Sequence, residues 1–397
     1  MIIGLQTKEK AMQPQKTLLA VAMGIAMSQV SVAQADIVET LKEGDVIADF
    51  RLRYETNDTD GGADAATALT LRSRLGYETP SMAGVKVLAE LEDVRSVIDE
   101  YAPEDTDYDT VADPANTEIN RFQLSYAKDN FAAVIGRQRI ILDNARFIGN
   151  VGWRQNEQTY DAALFSYKTD DVTLAYAYID QVNGILFNDT DVTAHALNAA
   201  FTGLSAGKLV TYAYLAEMDD VDYTLNTYGA SFAGKTAAGD TTITYRAELA
   251  TQTQDNGGVE NDAMYYALEA GAVISGVTLA VGNETLGSDD GAFGFSTPFA
   301  TKHAFNGWAD KFLGTPADGL SDTYVKAVGV VSGVKLLGVY HTYSAVEGSD
   351  DKGSEINLLA AKKIDKNFSV GLKYAGYTAG DSGADTDKLW AWAEAKF

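Results

Sequence analysis

An antiparallel, all-β barrel of 18 membrane-crossing strands is the fold class this sequence predicts, on three observations. Period-two alternation of apolar and polar residues recurs 18 times between residues 45 and 397. Each segment is about ten residues long, the length a tilted strand needs to cross a bilayer. Short and long connections alternate between the segments, and none of them holds the roughly 18 apolar residues of a transmembrane helix.

The N-terminus reads as an address. Lys8, Lys10 and Lys16 precede the apolar run from Leu18 to Met27, and Ala33-Gln34-Ala35 fits the small-x-small rule of signal-peptidase cleavage. Residues 1–35 are therefore expected to be a cleaved secretory signal peptide, with the mature chain starting at Asp36 and residues 36–397 forming a single barrel.

The first strand, 45–55, sets Val46, Ala48, Phe50, Leu52 and Tyr54 on one face and Asp45, Asp49, Arg51, Arg53 and Glu55 on the other, because successive strand side chains point oppositely. Residues 69–78 oppose Leu69, Leu71, Leu75 and Tyr77 to Thr70, Arg72, Arg74 and Glu78. Residues 242–250 oppose Ile243, Tyr245, Ala247 and Leu249 to Thr242, Thr244, Arg246 and Glu248. Weaker copies occupy 84–95, 117–128, 130–139, 159–168, 171–180, 192–203, 208–217, 223–233, 262–274, 277–284, 321–331, 334–344, 354–363, 367–377 and 387–397.

Short links at 81–84, 128–130, 169–171, 203–207, 275–276, 332–333 and 365–367 alternate with long ones at 98–116, 140–158, 181–191, 253–261, 285–320 and 378–386. Short periplasmic turns and long extracellular loops characterise an outer-membrane barrel of a Gram-negative bacterium, and an even strand number leaves both termini in the periplasm. Tyr54, Tyr77, Tyr126, Tyr178, Tyr214, Tyr340 and Tyr377 recur towards strand ends, as interfacial girdles require. Phe397 shares a face with Ala395, Ala393, Ala391 and Leu389, a C-terminal strand signal of such proteins.

Composition removes other classes. A formal charge of −25 argues against nucleic acid as a partner, since phosphates need a basic face. The absence of cysteine excludes disulfides, thiolate zinc sites and cysteine nucleophiles. Outer-membrane lipid, lipopolysaccharide, periplasmic chaperones and the barrel-assembly machinery are the partners such a chain implies.

A barrel of this size leaves an aqueous channel, so its inward face is the functional surface. Ten of the 11 arginines fall between Arg51 and Arg154. Alternation turns Arg51, Arg53, Arg72, Arg74, Arg121, Arg137, Arg139 and Arg246 inward. Strands lie about 5 Å apart, so the first five would carry a basic stripe able to guide carboxylates. The competing reading is a structural lattice, in which Asp49, Glu55, Glu78, Glu90, Glu92, Asp161 and Glu248 pair those arginines.

Residues 136–162 (GRQRIILDNARFIGNVGWRQNEQTYDA) and 303–325 (HAFNGWADKFLGTPADGLSDTYV) resemble the alginate export family of outer-membrane porins. The resemblance implies an 18-stranded barrel passing an anionic uronate polysaccharide. It places Arg137, Arg139, Arg146, Arg154, Asp143 and Asp161 in the family-like block, where the arginines would meet substrate carboxylates. It also implies that loop 285–320, with Asn306, Trp308, Asp310 and Lys311, folds towards the pore.

Other motifs carry less. Gly203-Leu204-Ser205-Ala206-Gly207 matches a nucleophile elbow but lies between two strands, where a periplasmic turn is expected. Asp105, Asp107 and Asp109 open like a calcium loop, yet Thr110 and Asn116 stand where Gly and Glu are needed. Loose divalent-cation binding at the acidic loops is the residual expectation. His195, His303 and His341 show no metal spacing. The expected function is a passive porin favouring anionic saccharides or small carboxylates, without cofactor, metal site or catalysis. The alternatives are a general porin with purely structural charge pairs, an outer-membrane hydrolase, or a structural or adhesin barrel.

Overall fold

The computed structural model describes residues 41–397, so the signal peptide read at 1–35 lies outside the described residues. The strands are β1 (Asp45–Thr59), β2 (Ala66–Glu78), β3 (Val85–Glu100), β4 (Asn116–Lys128), β5 (Phe131–Gln138), β6 (Thr159–Lys168), β7 (Val172–Asn183), β8 (Asp189–Leu204), β9 (Gly207–Met218) and β10 (Tyr223–Ala238). They continue with β11 (Thr241–Asn256), β12 (Val259–Ile274), β13 (Val277–Leu286), the two-residue β14 (Ser288–Asp289) and β15 (Phe293–Gly294), then β16 (Leu320–Val331), β17 (Val334–Ser344), β18 (Asp351–Lys363), β19 (Phe368–Thr378) and β20 (Thr386–Lys396). β14 and β15 pair only with each other, within the connection from β13 to β16. The other 18 strands form one sheet, each antiparallel to its neighbours, and β1 closes it by pairing with β20 from Asp49↔Lys396 to Thr59↔Thr386. Closure removes every free sheet edge, which a chain in hydrocarbon must do.

The burial pattern is inverted relative to a water-soluble core. On β13, Leu279 and Val281 are about half exposed on the outer surface, whereas the alternate position Glu284 is buried. On β1 the buried side chains are Arg51, Arg53, Glu55 and Asn57. Apolar side chains thus face outwards and charged ones inwards, the arrangement a lipid environment stabilises.

Two expected long loops are shorter than the sequence suggests. β7 and β8 run through most of 181–191, leaving 184–188, and β11 and β12 meet across Gly257 and Gly258 alone. Both glycines have positive φ (62° and 84°), which a two-residue turn of the hairpin-favouring kind needs at its centre. The polar residues flanking those turns pair as strand and resemble loop only in composition. Tyr54, Tyr77, Tyr126, Tyr178 and Tyr340 take the outward parity of their strands, and Tyr340 is about half exposed. Tyr214 and Tyr377 face inwards instead: Tyr214 stacks on buried Tyr212, and Tyr377 packs beside Tyr343. The elbow-like 203–207 segment is a tight turn between β8 and β9.

The lumen is not simply water-filled. Loops 139–158 and 287–319 fold into it and bury Phe147, Ile148 and Phe295. The wall facing them is lined by small side chains, among them Ala162, Ala177, Ala194, Ala196, Ala216 and Ala263. Alanine on the inner face leaves the volume that the inserted loops fill. Phe147 reaches across to Tyr212 and Tyr265, with ring centroids 5.1 and 5.3 Å away.

Candidate pore constriction and its cationic cavity

Loop 139–158 leaves β5 where strand alternation stops, and it docks on the arginine-bearing wall. The Arg51 guanidinium donates to Gln155 Oε1 (2.8 Å) and to the backbone carbonyl of Arg154. Arg53 bonds the Asp113 carboxylate, lies 3.4 Å from Glu55 and stands over the Trp153 ring. Gln155 returns the contact by donating to the Thr70 hydroxyl (2.8 Å).

Loop 287–319 docks on the opposite arc. Asn306 donates to Glu284 (2.8 Å), the Ala309 N–H to Glu355 (2.9 Å), and Lys311 to the Thr386 hydroxyl (3.0 Å). The two loops then meet. Arg154 reaches Asp310 (3.2 Å), Arg146 donates to Asn306 (2.9 Å), and the backbone N–H of Gly149 donates to the Phe299 carbonyl (2.9 Å). Trp153 stacks flat on His303, with centroids 4.9 Å apart. All four tryptophans, Trp153, Trp308, Trp390 and Trp392, belong to this layer or the wall it touches.

The wall arginines are compensated almost throughout. Arg72 pairs with Asp49 (2.7 Å), Arg74 with Glu92, Arg121 with Glu90 (2.7 Å), Arg139 with Glu90 (3.1 Å) and Glu157, and Arg246 with Glu248. Arg154 is held by Glu55 (2.9 Å), Asp310 and Asp113 (3.6 Å). Among the described residues Arg51 has no carboxylate partner, but loop carbonyls and Gln155 occupy its donors. The geometry matches a structural lattice more than a row of free anion contacts.

Arg137 and Asp161 depart from the expected inward direction. Arg137 pairs across the sheet with Phe122, which is 60% exposed, and with Asp161, and cross-strand partners share a face. The two form a bidentate pair (2.8 and 3.0 Å) on the outer surface. The buried Gln138 takes the inward position, and Arg139 turns inwards only because the strand has ended.

The uncompensated positive charge lies elsewhere. A cavity of about 340 Å³ opens on the long-loop side of the constriction, bounded by Asn57, Thr59 and Thr386 of the wall. Its charged lining is Arg154, Lys302, Lys311 and Lys388 against one carboxylate, Asp310. Lys302 donates to the Leu313 carbonyl (3.1 Å), and among the described residues neither Lys302 nor Lys311 has a carboxylate partner. Larger grooves, one of about 800 Å³, are apolar and lie largely on the barrel's outer surface.

Burial, and behind it the neighbouring Lys388, pushes the Lys311 ammonium below its ordinary value; burial and then Arg146 do the same to Lys302. Both shifts mark places where an anion would relieve a cation. Burial holds His303 at about 3 despite Asp310, so it is neutral at pH 7. Burial alone would raise Asp310, but His303, Lys388 and Arg154 outweigh it and keep the carboxylate ionised. Of these groups, the sequence already points to Arg154, Asp310 and Lys311, whereas Lys302 and Lys388 emerge from the structure. Lys388 was readable by parity, because it alternates with Trp390 and Trp392 on the face opposite Leu389 and Ala391. Lys302 sits in a loop, where no alternation marks it.

A histidine depressed from 6.5 to about 3 favours folding fully above pH 6.5, and that contribution is lost progressively as pH falls towards 3. The packing of the inserted loops is therefore expected to loosen over that window. Intrinsic tryptophan fluorescence measures it directly, and a red shift that begins below pH 6.5 is the expected result. The barrel's far-ultraviolet circular dichroism should stay constant meanwhile.

No protein-family model and no curated protein sequence matches the chain. Solved structures do. Pseudomonas aeruginosa OccK9 (OpdG) is similar with a TM-score of 0.70 at 14% identity, over 90% of this chain and 100% of that one. Pseudomonas aeruginosa OpdK with vanillate gives 0.69 at 14%, over 90% and 99%. Acinetobacter baumannii OccAB3 gives 0.67 at 15%, over 89% and 100%. At these identities the likeness establishes the fold, a closed 18-stranded antiparallel barrel of the outer-membrane porin type.

Proposed function

We propose that the chain is a passive outer-membrane channel whose selectivity resides where its two inserted loops meet, and that it favours small anionic solutes. The carrying observation is the cavity beside the constriction in which Lys302 and Lys311, without a carboxylate partner among the described residues, stand next to the paired Arg154, Lys388 and Asp310. A carboxylate arriving there would exchange water for Lys302 and Lys311, two weak sites in place of one deep well. Vanillate, named with one of the similar barrels, is itself a small carboxylate. Uronates are the finer proposal, resting on the sequence resemblance and on the hydroxyl and amide groups of Asn57, Thr59 and Thr386 beside the cations. The compensated wall arginines serve mainly to hold the loops.

A catalytic reading finds no support in the histidines. His195 faces outwards, bonded to the Tyr176 hydroxyl (2.9 Å), and His341 is buried against Asp322 (2.9 Å). Lipid and lipopolysaccharide are the proposed surroundings of the apolar belt, and periplasmic chaperones and the assembly machinery the proposed partners on the way there. Divalent cations are proposed only as diffuse screening of the acidic loops, since no group of three or more potential ligands is gathered among the described residues.

The acidic mouth sets a condition on this function. Residues 101–112 alone carry Glu104, Asp105, Asp107 and Asp109 without a basic residue. Their field opposes incoming anions at low salt, and it is screened within about 10 Å at 0.1 M and about 3 Å at 1 M. The partly buried lysines of the cavity are screened less. Anion preference, read as the reversal potential across a planar bilayer, should therefore rise with ionic strength. In liposome swelling, uronate oligosaccharides should enter faster than neutral ones of equal size. Equal rates at all salt concentrations would refute the proposal.

A further inference from the structure

One side chain of the barrel wall touches both inserted loops. Lys373 of β19 is 5% exposed and points inwards. Its ammonium lies 3.7 Å from the ring centroid of Trp308, 4.0 Å from Trp153 and 5.4 Å from Trp390. These three indoles come from loop 287–319, loop 139–158 and β20. The ammonium also donates to His303 Nε2 (2.6 Å), and His303 Nδ1–H donates to Asp310 (2.7 Å). Among the described residues no carboxylate pairs with Lys373 directly; its charge is met by aromatic faces and through the imidazole.

We propose that Lys373 is the positioning residue of the constriction, an ammonium that the chain holds in its own tryptophan cage to lock both loops to the wall. Ammonium over an indole face is attracted by the ring quadrupole, most strongly when water is excluded, as it is here. Three faces from three elements share one ion, so the ion couples their positions. His303 stacks on Trp153 while accepting from Lys373, which ties loop 287–319 to loop 139–158 through the same group. Removing the ammonium leaves an imidazole nitrogen without a donor and a cage without its cation. The loops then keep their separate docking bonds, Ala309 with Glu355 and Gln155 with Arg51, but lose the wall contact they share. The cage also defines a ligand class: with Lys373 shortened, a small alkylammonium ion fits the vacated place.

This inference rests on the channel reading, and the experiment separates the two. Wild type, Lys373→Met and Lys373→Ala are reconstituted in planar bilayers, with methylammonium chloride as the probe against equal sodium chloride. Wild type should give quiet, stepwise openings. Both variants should show conductance raised by at least about twofold with added fluctuation, as a mobile gate produces. Methylammonium should return Lys373→Ala, but not Lys373→Met, towards the wild-type level, because only the alanine variant has room for it. A purely packing role would not respond to the ion. If Lys373→Met does not assemble, Trp308→Phe weakens the cage while retaining the ammonium, and it should raise fluctuation without methylammonium rescue. Variants indistinguishable from wild type, or a Lys373→Ala channel insensitive to methylammonium, would overturn the latch alone. Wild type without stepwise conductance would overturn the channel reading itself.

Discussion

Replacing Arg154 with methionine is expected to destabilise the folded barrel interior by about 3–5 kcal/mol, the usual cost of removing one partner from a buried ion pair. Arg154 is 5% exposed, and its guanidinium is shared by Glu55, Asp113 and Asp310. Methionine matches much of the volume, so the loss is electrostatic rather than a cavity effect. Three buried carboxylates would lose their shared cation, leaving Glu55 and Asp113 to Arg53 alone and Asp310, on the loop that must stay inserted, to His303 and Lys388. The thermal transition followed by tryptophan fluorescence should fall to lower temperature well before the far-ultraviolet signal of the strands changes. Arg154→Lys should lie between the two, because it keeps the charge and loses the planar fork. Equal transitions for all three proteins would mean that the pairs contribute little.

Shortening loop 287–319 has the largest expected effect on permeation. An 18-stranded barrel without inserted loops leaves a wide aqueous lumen. Here the loop crosses from Glu284 to Thr386 and carries Lys302, Asp310 and Lys311 into that space. Replacing residues 296–314 by a short glycine–serine link, between the β14–β15 pair and β16, leaves every barrel strand intact. Single-channel conductance should rise at least about threefold, and discrimination between uronate and neutral saccharide should disappear, because a water-filled pore sorts by size alone. A conductance unchanged by the deletion would show that the narrowest point lies elsewhere.

The barrel was legible because each strand repeats one physical instruction, apolar outwards and polar inwards, over about ten residues. All 18 strands lie where alternation puts them, with ends extended by a few residues on the long-loop side. Errors arose where that instruction stops. Arg137 shares the parity of Arg139, yet the strand ends between them, so one faces lipid and the other the lumen. Tyr214 and Tyr377 have the composition of girdle residues and the parity of lumen residues, and parity prevails. The inward-facing arginines were visible, but their carboxylate partners Asp113 and Glu157 were not, since both reside in loops brought close only by closure. The alanine-lined arc carried a readable signal of another sort. Small residues at successive inward positions of β6 to β9 are of no use to an open pore, and they mark where a loop is received.

The central claim is that Lys302 and Lys311 supply the free positive charge at the meeting point of the two loops. The most direct measurement is the reversal potential of single channels under a salt gradient, comparing wild type with Lys302→Glu/Lys311→Glu. At the effective dielectric of a partly buried site, a unit charge at close range is worth several kcal/mol, so two reversals should cut the anion-to-cation permeability ratio by at least about tenfold. A reversal potential shifted to the cation side is the predicted result. The same potential in both proteins would contradict it.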